Sequence, residues 1–167
     1  MNEVPQPQHP VLKIARFFPI VEKIVLPALA IGVLLDYSHF NGKPIILICL
    51  PILAIVFFLG AFVPLELPER DQPYDFSHLL VFVIMPKVVG IASAISILGI
   101  FLYLLDLGNK GYLQLLMNGA SVTFASFAIY LYGVIKSMEG VSMLLPMFYR
   151  AIPFAILATY IFIQNRS

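Results

Sequence analysis

Residues 44–63 read PIILICLPILAIVFFLGAFV, twenty positions without one charged side chain. At a rise of about 1.5 Å per residue such a run, wound as a helix, covers the roughly 30 Å hydrocarbon core of a bilayer. It shows no polar stripe of the kind that a helix on a soluble domain keeps towards water. Four further stretches of similar character flank it, at residues 17–35, 79–105, 112–135 and 141–163. The whole chain agrees: of 167 residues, 60% are hydrophobic and 11% charged, far from the composition of a soluble domain. The sequence therefore predicts an all-α polytopic membrane bundle of five transmembrane helices.

The connections carry the organisation. The runs DYSHFNGK, DLGNKG and KSMEG are short and contain Gly or Asn, which suit the tight turns of helical hairpins. Residues 64–78 form a longer acidic, Pro-rich loop, and residues 1–16 read as a disordered polar tail. This divides one transmembrane domain, 17–163, into a first hairpin (17–63), a second hairpin (79–135) and a fifth helix (141–163). The two hairpins are alike when KIVLPALAIGVL (23–34) is laid on KVVGIASAISIL (87–98): Lys23 falls on Lys87, Val25 on Val89, Ala28 on Ala92 and Ala30 on Ala94. Two spans separate equivalent positions, so a duplication of this kind is parallel.

Lysine and arginine set the orientation. With the N-terminus inside, Lys13, Arg16, Lys23, Arg70, Lys87 and Lys136 lie on the cytoplasmic flanks, against Lys43, Lys110 and Arg166 outside. Lys23 and Lys87 are then expected at the cytoplasmic ends of their helices, with stems long enough to reach the interface. Small-xxx-small pairs, Gly90 with Ala94, Ala92 with Ser96, Ala28 with Gly32, Gly119 with Thr123 and Ser121 with Ala125, mark close helix packing, above all between the third and fourth spans. An alternative makes Asn118, Ser121, Thr123 and Ser126 the lining of a polar path.

The ionisable residues exclude several chemistries. A net charge of +1 without a basic stripe gives no nucleic-acid surface. The histidines, His9, His39 and His78, stand in the tail, a turn and a helix start, so no pair can grip a haem inside the bilayer. His39 with Asp36, or His78 with Asp75, offers two ligands where a catalytic zinc site wants three. Glu66, Glu69, Asp71 and Asp75 read as a solvated linker without calcium-loop spacing. Cys49 is alone, and no nucleophile motif or phosphate-binding loop is present. No catalytic residue, metal site or cofactor is expected.

Arg150 is the exception, set between Pro146 and Pro153 in MLLPMFYRAIPFAIL. Counted from Val141 it falls about 13 Å into the fifth span, near mid-membrane, where an arginine costs at least about 2.5 kcal/mol and cannot deprotonate. Glu22, near the cytoplasmic end of the first span, reads as too shallow for an intramembrane carboxylate, which leaves Arg150 without an evident partner in its own chain. The two prolines suggest one: each removes a helical donor, freeing the carbonyls of Ser142 and Tyr149 for the guanidinium.

The first hairpin, LLDYSHFNGKPIILICLPILAIVFFLGAFVP, resembles the transmembrane hairpin of the GldL family of gliding-motility and type IX secretion stators. His39, Phe40 and Gly42 match that family's outer turn, and Ala61, Phe62 and Pro64 its helix ending, whereas Asn41 and Val63 depart from it. Leu53 stands where the motor proteins carry a membrane glutamate, so the resemblance implies shared hairpin architecture and a bacterial inner membrane, without motor activity. The sequence thus predicts a non-enzymatic, multi-pass inner-membrane protein, N-terminus cytoplasmic. It acts as a structural or assembly subunit with a membrane-protein partner or as a homo-oligomer in lipid. A small solute or ion transporter is the alternative, and Arg150, Lys23, Lys87 and Asn118 are the candidate functional residues.

Overall fold

The computed structural model describes residues 16–63, 75–106, 110–138 and 140–166. Its elements are α1 (Phe18–Tyr37), α2 (Lys43–Gly60), α3 (Phe76–Leu105), α4 (Gly111–Ile135) and α5 (Leu145–Asn165), the last led in by a 3-10 turn at Val141–Leu144. All five are long and apolar enough to cross a membrane, and no strand occurs among the described residues. The chain is a multi-pass helical membrane protein, with its helices within a few residues of the expected spans. The expected tail and most of the acidic loop, with Glu66, Glu69 and Asp71, lie outside the described residues.

Prolines punctuate the helices in two ways. Pro19, Pro44 and Pro146 occupy the first turns of α1, α2 and α5, where a missing N–H is not needed. The expectation that Pro146 frees a carbonyl inside a kinked span is thereby corrected: the chain enters through a 3-10 turn and the regular helix begins around Pro146. Pro86 stands inside a continuous α3. A regular helix would drive its ring into the carbonyl of Phe82, and the preceding residues Leu80–Ile84 open into a π turn in which the Met85 N–H donates to the Leu80 carbonyl.

Helix α3 is the hub, packing on α2, α4 and α5, while α1 packs chiefly on α2. Small residues permit the close approaches. A Cβ on Gly119 of α4 would lie 2.7 Å from the backbone nitrogen of Ser96 and 2.8 Å from the Ala92 carbonyl of α3. One on Gly90 of α3 would lie 2.7 Å from Cβ of Ala61 and 3.0 Å from the carbonyl of Phe57. The Ala92 and Ser96 face of α3 therefore meets α4 as expected, but Gly90 serves the contact with the first hairpin. Two apolar cores result: one around Leu53, Ile97, Leu116 and Ala158, the other around Val81, Met85, Leu144 and Phe148.

The helices differ in length, and this places the charges. Gly90, which meets Ala61 just past the end of α2, is fourteen residues into α3. The α1–α2 hairpin therefore docks along the part of α3 nearer Leu105, and α3 runs on about 21 Å from Gly90 to its start at Phe76. Lys87, expected at a helix end, is exposed but eleven residues inside α3.

Candidate functional site

Glu22 lies one turn into α1 and Arg150 about one and a half turns into α5. Both stand fifteen residues from the ends of their helices at Tyr37 and Asn165, so at about 22 Å from that end of the bundle they are level. The guanidinium Nη1 donates to Oε2 of Glu22 across 2.8 Å. The Glu22 side chain keeps only 12% of its exposure and that of Arg150 48%. Arg150 thus has a partner in its own chain, a carboxylate on another helix in place of the freed proline carbonyls. At about 22 Å from the Tyr37 and Asn165 ends, the pair is level with the middle of the 30-residue α3.

The ion pair borders a cleft of about 280 Å³ among α1, α2, α3 and α5. Phe18, Phe57, Ala61 and Met147 are among its walls, and Glu22 and Arg150 supply its charged groups. Local sequence explains the space. Gly60 and Ala61 end α2 with almost no side-chain bulk, and Gly90 adds none from within α3. Lys23 follows Glu22 on α1 and Lys87 follows Pro86 on α3, both exposed. Three of the expected residues, Arg150, Lys23 and Lys87, therefore fall in one band about 21–27 Å from the Tyr37, Leu105 and Asn165 ends.

Asn118 is elsewhere. It is exposed on α4, away from the cleft, and has no hydrogen bond among the described residues. The suggested polar path separates into two faces. Thr123 and Ser126 point into the bundle and donate to their own helix, to the Gly119 carbonyl at 2.9 Å and the Val122 carbonyl at 2.8 Å. Ser93 does likewise towards Val89 at 2.7 Å. Tyr130 is buried against Phe127 and Phe148, with ring centroids 5.9 and 5.0 Å away.

The outward face of α4 carries a feature that residue-by-residue reading missed. Gln114, Asn118, Ser121, Ala125, Ala128 and Tyr132 are all exposed and recur at intervals of four and three, forming one stripe along the helix. The spacing was legible in the sequence, but which of α4's two small and polar faces turns outward needed the packing of Gly119 on α3.

Among the described residues no group of three His, Cys, Asp or Glu side chains is close enough to hold a metal ion. His39 sits in the α1–α2 turn with φ of 62°, and Leu53 is fully buried. No protein-family model, curated protein or solved structure matches the chain.

Proposed function

We propose that this protein is a non-enzymatic assembly subunit of a membrane complex or homo-oligomer, docking through the outward face of α4. The observation that carries this reading is the exposed stripe from Gln114 to Tyr132. An amide such as that of Asn118, seven residues into α4, is costly against hydrocarbon without a hydrogen-bond partner. Interhelical hydrogen bonds and close approach over small residues are what hold membrane helices together, and the stripe offers both at the 3.5-residue period of a helix pair. The charge bias of the loops supports a cytoplasmic N-terminus, and the likeness of the first hairpin to the stator family supports a bacterial inner membrane.

Cysteine crosslinking tests the assembly. In a Cys49→Ala background, Ser121→Cys and Ala125→Cys should form crosslinked species in native membranes, whereas Val122→Cys and Phe124→Cys should not. Equal or absent crosslinking at all four positions would remove the reading. The transporter alternative draws less support, because Asn118 and Ser121 lie away from the Arg150 cleft and Thr123 and Ser126 bond to their own helix.

A further inference from the structure

We infer that the cleft between α1 and α5 binds an anionic amphiphile, a single alkyl chain lying between Phe18, Phe57 and Met147 with its carboxylate or phosphate head on Arg150. The inference is independent of the α4 interface, which lies on another face of the bundle.

The chemistry comes from three observations. The walls are mainly apolar, with the charged groups confined to the Glu22 and Arg150 side, so a wholly polar solute would lose water along most of the cleft while an alkyl chain would not. The volume, about 280 Å³, is at the small end of ligand sites and suits one chain segment rather than a whole two-chain lipid. The polar end is a guanidinium with five donors, of which one nitrogen is engaged by Glu22 and no other partner occurs among the described residues. Its planar fork matches carboxylate and phosphate oxygens. Glu22 is the more buried member of the pair, so an incoming anion meets the half-exposed guanidinium first. Lys23 and Lys87 add positive charge at the same level, leaving the surroundings net cationic despite Glu22.

The sequence contains no Trp, so one placed in the cleft reports alone. Full-length protein carrying Met147→Trp, in mild detergent, is titrated with three probes brominated in the alkyl chain: a fatty acid, a lysophosphatidylglycerol and a lysophosphatidylcholine. The two anionic probes should quench at concentrations about tenfold lower than the zwitterionic one, the gap being the charge-assisted contact to Arg150. The stronger of the two then tells a free fatty acid from a phospholipid as the source. Adding Arg150→Gln should abolish the preference for the anionic probes. Equal quenching by all three probes would overturn the inference, as would a preference that survives Arg150→Gln. If Arg150→Gln does not fold, the comparison of head groups on the unaltered Arg150 decides alone. A Trp at lipid-facing Ile48 should show no head-group preference, and an identical preference there would assign the effect to the micelle and overturn the site.

Discussion

Glu22 in the first helix and Arg150 in the last meet at 2.8 Å, and this contact ties α1 to a helix on which it otherwise scarcely packs. The hairpin α1–α2 is held to the bundle on one side by Gly90 against Ala61 and on the other by this ion pair. Removing either partner leaves the other with a desolvation cost and no compensation. A double-mutant cycle with Glu22→Gln and Arg150→Gln, read by thermal unfolding in detergent, should give a coupling of about 1–2 kcal/mol, since Arg150 is half-exposed and partly screened. Additive single effects would show that the hairpin is held by packing alone.

Little of this pair was legible while each residue was measured from the start of its own helix. That count makes Glu22 shallow and Arg150 deep. Counting from the shared turn end, Tyr37 for one and Asn165 for the other, puts both at fifteen residues, a signal the sequence does carry. The five spans were legible because a charge-free run has few alternatives in lipid. The inward and outward faces of α4 were not, because Gly119, Thr123 and Ser126 on one side resemble Ser121, Ala125 and Ala128 on the other. Only the neighbour chosen by Gly119 separates them. Pro86 announced an irregularity in α3, but whether a proline kinks a helix or widens a turn depends on the packing around it.

Phe148 should show how core truncation behaves when lipid is the solvent. It is fully buried, with Tyr130 and Phe127 at ring-centroid distances of 5.0 and 5.3 Å. In water, Phe→Ala in a core costs about 3–5 kcal/mol, of which much is transfer free energy. Separated membrane helices already rest in hydrocarbon, so that part falls away and only lost packing remains. Phe148→Ala should therefore cost about 1–3 kcal/mol in reversible unfolding within mixed micelles. A loss at the full aqueous value would mean that water reaches this core when the helices separate.

The band of charge formed by Lys23, Lys87 and Arg150 gives a topological prediction. With the N-terminus in the cytoplasm, Lys23→Cys and Lys87→Cys in a Cys49→Ala background should react with a membrane-impermeant maleimide in inverted vesicles and stay protected in intact cells. Lys43→Cys, at the start of α2 on the opposite end, should show the reverse. The opposite pattern would invert the orientation without altering the fold.

Two glycines test how close the helices must come. A methyl group on Gly119 would strike not only the Ser96 side chain but its backbone nitrogen at 2.7 Å and the Ala92 carbonyl at 2.8 Å. Backbone cannot rotate aside as a side chain can, so Gly119→Ala should push α3 and α4 apart and cost about 1–3 kcal/mol. Ser96→Gly should restore only part of that loss. Gly60, the last residue of α2, has nothing within 4 Å of the corresponding position. There the same substitution meets no neighbour and replaces a poor helix former, so Gly60→Ala should be neutral or stabilising by up to about 1 kcal/mol. Because Gly60 also borders the cleft, its added methyl should shrink that space slightly and leave the fold intact. Thermal unfolding of the two variants side by side checks the contrast: equal destabilisation would mean that glycine content matters in both helices for a reason other than contact.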